Sequence, residues 1–320
     1  MTSNRNLKAS FQWTQTAGAL LFKTIPSQVP LLETLINEGA IGMIAGDTGA
    51  GKSFLSLNIA YAVAAGLKCA PWGRGAGVPV MYLDGEMGEE LFKKRLQHIG
   101  NNNRYREPRG RAGRNLHIFG KAWSPECADL DSANAQSNLL NEIADKGVKL
   151  LIIDNLDTLC PTALSKPAAW KNLIDWVQRL SRRNVAVILV HHNNKKGVQH
   201  GSSEKTRQMH FVMSIKKSDE QKVKNQAVFT MSMDKERDQG ADLEAKARFV
   251  IRTRFDPEFN HEATSVTQED IFSEKHEREG EALKHFKANK NGKEIAKLME
   301  LSEPTVTRIR QSLVKQGLLV

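Results

Sequence analysis

Residues 46 to 53 read Gly-Asp-Thr-Gly-Ala-Gly-Lys-Ser and complete the pattern G-x-x-x-x-G-K-[ST]. Each residue type answers a need of a bound triphosphate. Gly46, Gly49 and Gly51 let the backbone turn tightly, so that successive N–H groups aim at phosphate oxygens. Lys52 adds a point charge at the β- and γ-phosphates, and the Ser53 hydroxyl is a ligand for Mg²⁺. The nucleotide-binding stretch is therefore expected to comprise Gly46, Asp47, Thr48, Gly49, Ala50, Gly51, Lys52, Ser53 and Phe54, with ATP and Mg²⁺ as cofactors.

Turnover of such a nucleotide also needs a second carboxylate for the metal and a group that orients the attacking water. Asp154 ends the apolar run Leu150-Leu151-Ile152-Ile153 and is the candidate for the metal. Glu86, just past the apolar segment Val80 to Asp84, is the candidate for water, with Asp84 and Asp157 as weaker substitutes. A third run, Val185 to Val190, leads into His191-His192-Asn193-Asn194-Lys195-Lys196-Gly197. No carboxylate or cysteine cluster accompanies that histidine pair, which argues against a metal site there.

These residues need a scaffold that ends several strands at one edge. Ile41 to Ala45 reads as a buried strand and Ser53 to Ala65 as the helix that presents its N-terminus to the anion. Val78 to Asp84, Leu116 to Phe119, Val148 to Ile153 and Val185 to Val190 read as further strands. Amphipathic stretches Glu89 to Ile99, Ser137 to Ala144 and Ala168 to Leu180 separate them. That alternation predicts an α/β fold with a mostly parallel sheet covered by helices. Past residue 210, Phe211 to Ile215, Ala227 to Met233 and Ala247 to Thr253 predict an antiparallel extension of the sheet. Residues 256 to 275, rich in polar side chains, read as a linker.

The segment Tyr82-Leu83-Asp84-Gly85-Glu86-Met87 resembles the RecA and DnaB class, which keeps its water-activating glutamate at this place. Asn155 follows Asp154, whereas AAA+ enzymes put their catalytic glutamate there, and on this point the chain departs from them. His191 to Gly197 with Gly201-Ser202-Ser203 resembles a stretch of RepA-type replicative helicases. In that family a polar residue at the strand end, here His192, senses the γ-phosphate, and the adjoining loop, here with Lys195 and Lys196, faces DNA. Asp234 to Gly240 resembles the Lys-x-Arg-x-x-Gly turn of DnaB-type motors, which implies that Lys235 and Arg237 reach a neighbouring subunit's γ-phosphate. Arg207 is the fallback for that role. The resemblance covers residues 41 to 240 and does not extend to the N-terminal segment, residues 1 to 40, too short for the helical collar of DnaB. It implies a RecA-like motor over residues 41 to 255, a homo-oligomer as a hexameric ring, and single-stranded DNA as partner. Residues 1 to 35 would lie on a neighbour.

Residues 276 to 320 form a separate helical unit by pattern. Glu279 to Lys287, Gly292 to Met299 and Glu303 to Lys315 read as helices, with Ser302 as N-cap and Pro304 in the first turn of the last one. The unit resembles a winged helix-turn-helix module. Thr305, Arg308 and Arg310 would face duplex DNA from the recognition helix, and Gly317 to Val320 would begin a wing that the sequence cuts short.

Net charge is +10 with 46 basic against 36 acidic residues. The excess favours a polyanionic partner. It concentrates at Arg104, Arg106, Arg109, Arg111 and Arg114, and again between Lys195 and Lys224. Cys69, Cys127 and Cys160 are scattered, so neither a disulfide framework nor a zinc site is expected. No signal peptide is visible, and no apolar run approaches the ~20 residues of a membrane span. A cytoplasmic location follows as an expectation. The combined reading is an ATP-dependent helicase or translocase in replication of a plasmid, phage or mobile element. The rivals are a RecA-like recombinase or mediator and an ATP-gated DNA-binding regulator.

Overall fold

The computed structural model describes residues 14–25, 27–101, 106–124, 129–192, 203–217, 226–236, 246–256, 261–269, 274–288, 290–299, 301–315 and 319. The chain opens with a short helix α1 (Ala17–Leu21) and a small hairpin of β1 (Pro30–Leu32) and β2 (Ile36–Asn37). The phosphate-loop unit follows as β3 (Ile41–Gly46) and α2 (Lys52–Ala65). Next come β4 (Val80–Asp84), α3 (Glu89–Asn101), α4 (Arg106–Asn115) and β5 (Leu116–Gly120). Helix α5 (Ala133–Asp145) leads to β6 (Leu150–Asp154), then α6 (Leu156–Leu159), α7 (Pro161–Ser165), α8 (Pro167–Ser181) and β7 (Ala186–His192). Helix α9 (Ser203–Thr206) precedes the strands β8 (Phe211–Lys217), β9 (Gln226–Glu236), β10 (Lys246–Asp256) and β11 (His261–Glu269). Helices α10 (Glu274–Lys287), α11 (Gly292–Leu298) and α12 (Glu303–Lys315) complete it.

Nine strands form one sheet in the order β11-β10-β9-β8-β3-β7-β6-β4-β5. From β5 to β8 all pairings are parallel, and from β8 to β11 all are antiparallel. This is the expected α/β, RecA-like architecture. The parallel strands read as unbroken apolar runs because both faces are buried. Along β6, Leu150 and Ile152 face the core that holds α2, while Leu151 and Ile153 face the core that holds α5 and α8. The connection from β3 through α2 to β4 passes over β7 and β6, so the carboxyl ends of β3, β7, β6 and β4 lie side by side. Ligands of open α/β sheets bind at such a rim.

Two expectations change. Residues 256 to 275 do not form a plain linker: His261–Glu269 pairs with β10 over its whole length as the sheet's edge strand. Part of the arginine-bearing stretch, read only as a charge run, is the helix α4, and the Arg111 side chain lies over Gly66 and Gly77. The three C-terminal helices enclose their own small core of Ala282, Ile295, Ala296, Val306, Ile309 and Leu313. Asn291 caps α11 with a reciprocal bond to Glu294. Among residues 316 to 320 only Leu319 is described. It packs on that core, and the expected wing otherwise falls outside the described residues. No described helix is long and apolar enough to cross a membrane.

Candidate nucleotide-binding site

The loop between β3 and α2 has the conformation its glycines permit. Gly49 and Gly51 take φ values of 75° and 92°, in the left-handed region that residues with a side chain avoid. A Cβ on Gly46 would stand 2.3 Å from the Ile215 carbonyl oxygen of β8, so only glycine fits between the two strands. Asp47, Thr48 and Gly49 are exposed, Ala50 is buried, and Phe54 packs at the margin of the α2 core. The open side of the loop thus carries the backbone N–H groups that would meet phosphate.

Lys52 starts α2 and is nearly covered, at 4% exposure. Its ammonium donates to the carbonyls of Gly46 at 2.9 Å and Asp47 at 2.8 Å, and to His192 Nδ1 at 2.9 Å. Burial pushes its pKa below the usual lysine value, against the pull of Asp154, Glu86, Asp157 and Asp47. Neutral acceptors now hold this cation, and phosphate oxygens would bind it more strongly.

His192 ends β7 and joins the other groups. When Nδ1 accepts from Lys52, Nε2 carries the ring proton, with Glu86 Oε1 3.4 Å away as its acceptor. Asn155 Nδ2 also lies 2.8 Å from Nε2. Its amide is oriented by Oδ1, which accepts from Thr158 N at 3.1 Å as the N-cap of α6. Two donors therefore compete for one ring, and only one nitrogen can accept at a time. Asp157 braces the same strand end: Oδ2 accepts from His192 N at 3.3 Å and lies 3.4 Å from Nδ1 of the buried His191. Burial works to raise Asp157, but His191 and the His192 N–H outweigh it and hold the carboxyl below its ordinary range.

Asp154 ends β6 with 3% exposure, in register with Asp84 of β4. Burial raises its pKa, opposed by hydrogen bonds from Tyr82 and Ser53. Ser53 in the first turn of α2 and Asp154 at the end of β6 are a pair of hard oxygen donors of the kind Mg²⁺ takes alongside phosphates. Among the described residues no cluster of three His, Cys, Asp or Glu side chains could hold a metal alone. The donors present fit a Mg²⁺ carried in with a nucleotide. Asp84 is also buried, which pushes it up to about 7 against hydrogen bonds from the Met87 and Glu86 N–H groups. Its Oδ2 accepts from Met87 N at 2.7 Å, so it fixes the turn that holds Glu86.

The structure brings together Lys52, Ser53, Glu86, Asp154 and His192 of the residues predicted from sequence. Lys195, Lys196 and Arg237 lie outside the described residues. Lys235 lies within β9, and its ammonium donates to the Thr206 carbonyl and, at 3.0 Å, to that of Arg207 in the same chain. Arg308 and Arg310 are exposed on α12 as expected, but Thr305 is half-buried, its hydroxyl 2.8 Å from that of Ser302. Sequence reasoning missed Tyr82, Ser56 and Asn155. The available signal was a lone hydroxyl inside the apolar strand Val80–Asp84.

No curated protein matches the chain. Among solved structures, a KaiC-like protein from the hyperthermophilic archaeon Pyrococcus horikoshii is similar with a TM-score of 0.49 and 14% identity, covering 75% of this chain and 99% of that one. The flagellar accessory protein FlaH from Methanocaldococcus jannaschii is similar with a TM-score of 0.49 and 13% identity, covering 73% and 91%. Likeness at this level says nothing about activity, and the architecture stands on the strand order itself. The sequence also matches the AAA domain family over residues 5–198. That match begins well before residue 41, so family likeness extends into the N-terminal segment, where none was expected. It runs through every strand end that builds the site, from β3 to β7, and over more than half of the sequence: the chain belongs to the AAA domain family.

Proposed function

We propose that this chain is an ATP-hydrolysing motor on single-stranded DNA, a helicase or translocase for replication of a plasmid, phage or other mobile element, working as a ring of identical subunits, hexameric by its resemblance. One observation carries the reading. His192 touches both Lys52 and Glu86, and the chain runs from it within four residues to Lys195 and Lys196. A change at the γ-phosphate therefore has a bonded route to a basic segment suited to phosphodiester.

In this reading the loop from Gly46 to Phe54 wraps the phosphates, and Lys52 exchanges carbonyl oxygens for phosphate oxygens. Ser53 and Asp154 would hold Mg²⁺, which supplies positive charge against the β- and γ-oxygens. Glu86 accepts a proton from the attacking water, and its half-exposed side chain leaves room for that water. Arg237 of a neighbour would answer the charge that develops on the transferred group, with Lys235 beside it. The test is unwinding of a forked duplex with and without ATP. Hydrolysis and DNA binding without strand separation or movement would favour an ATP-gated regulator, and open filaments in electron microscopy would favour a recombinase.

Charge removal at Lys195 and Lys196 should weaken binding to every single-stranded sequence alike. For each phosphate no longer neutralised, the dependence of log affinity on log salt should flatten by about 0.7 of a unit, the single-strand value. A salt titration of wild type and the double alanine variant measures this directly. Unchanged affinity with abolished unwinding would make the segment a coupling element instead.

Removal of residues 274–320 should leave basal ATPase unchanged, because these helices enclose their own core and every described site residue precedes them. Preference for a duplex or forked site should be lost, since exposed Arg308 and Arg310 can reach phosphates or guanine edges. A base-specific contact is worth about 1–3 kcal/mol of discrimination. Competition binding on duplex, fork and single strand decides the matter. Identical preferences with and without the module would assign it to protein contacts.

A further inference from the structure

Tyr82 is the only hydroxyl-bearing side chain of β4, and it is fully buried. The strand register sets it opposite Ile152, two residues before Asp154 on the neighbouring strand, so its ring shares the α2 face with Asp154. Its phenol donates to Asp154 Oδ2. The Ser56 hydroxyl of α2 lies 2.9 Å from the phenol oxygen and 3.5 Å from the same carboxylate oxygen. A phenol has one proton. With that proton directed at the carboxylate, any bond between the two hydroxyls is donated by Ser56, whose proton also has the Ser53 carbonyl within reach at 3.2 Å. The ring itself is fixed by an edge contact with Phe92, centroids 5.7 Å apart, and Phe92 makes another with Trp123 at 5.6 Å.

We infer that Tyr82 is a positioning residue for the metal carboxylate, an inference that rests on the MgATP reading above. A buried carboxylate needs donors. Tyr82 supplies a permanent one to Oδ2, which fixes the plane of the group and leaves the other oxygen to the site. Tyr82 is fully buried, and its role in the site runs through Asp154.

The test measures binding of a fluorescent ATP analogue across a titration of free Mg²⁺, and again in EDTA. Wild type should bind more tightly as Mg²⁺ rises. Tyr82→Phe keeps the ring and its aromatic contacts, and should raise the Mg²⁺ concentration for half of that effect by about 10–100-fold, the usual consequence of losing an outer-shell partner. Its affinity in EDTA should be unchanged. Ser56→Ala should shift the same titration in the same direction by less, and carries the test if Tyr82→Phe does not fold. An unmoved Mg²⁺ titration, or an equal loss with and without Mg²⁺, would overturn the inference, because a merely structural tyrosine gives one or the other. Wild-type binding indifferent to Mg²⁺ would instead overturn the MgATP reading itself, and the inference with it.

Discussion

Glu86→Gln protein should bind ATP as wild type does and hydrolyse it about 10²–10⁴-fold more slowly, the range for loss of a general base. The expected split between binding and turnover follows from placement. Glu86 is half-exposed, and its side chain meets the site at His192, 3.4 Å away, outside the phosphate loop itself. Lys52→Ala should behave differently and lose binding together with turnover, because Lys52 is the buried cation of the loop. Asp84 is a rival acid, but it is 1% exposed and bonded to the Met87 N–H, so water has no access to it. Phosphate release alongside nucleotide binding checks both variants. Near wild-type hydrolysis by Glu86→Gln would move the role to Asp157, which is part-exposed.

The second large effect concerns Arg237. A guanidinium donated across a subunit boundary is worth roughly 10³–10⁵ in rate, so Arg237→Ala should be almost inactive. Mixed with equally inactive Glu86→Gln subunits, it should regain activity, because some interfaces then join an intact Glu86 to an intact Arg237. Recovery is read as ATPase against the mixing ratio, with mixed oligomers verified by a tagged subunit. If mixed oligomers form and stay silent, the guanidinium comes from elsewhere. Arg207 is the next candidate, since it is exposed and its carbonyl accepts from Lys235.

The parallel half of the sheet was legible because burial on both faces leaves a simple trace: Leu150 to Ile153 and Ala186 to Val190 are apolar without interruption. The phosphate loop, Asp154 and His192 were legible because each stands directly after such a run. The edge strand β11 was not. His261–Glu269 pairs on one side only, so its sequence carries polar residues throughout and looks like the linker predicted there. The hairpin of β1 and β2 escaped because strands of three and two residues show no period. Helix α4 was hidden by its arginines, glycines and proline. Tyr82 and Ser56 were hidden for another reason. Their role depends on two strands and a helix meeting, and spacing along one segment cannot express that. Asn155 was noted only as a departure from an acid, whereas in space it caps α6 and faces the ring of His192.

Helix α2 is buried on eleven of its fourteen residues, lodged between the sheet and the rest of its core rather than riding on the surface. Dense interiors resist compression and transmit displacement. The phosphate cradle is therefore anchored like the fixed jaw of a vice. When a phosphate arrives or departs, the recoil cannot be absorbed beneath the loop. It must emerge where constraint is weakest, among the part-exposed groups at the rim, Glu86 and His192 among them. Stiffness below the nucleotide is what gives its chemistry a direction.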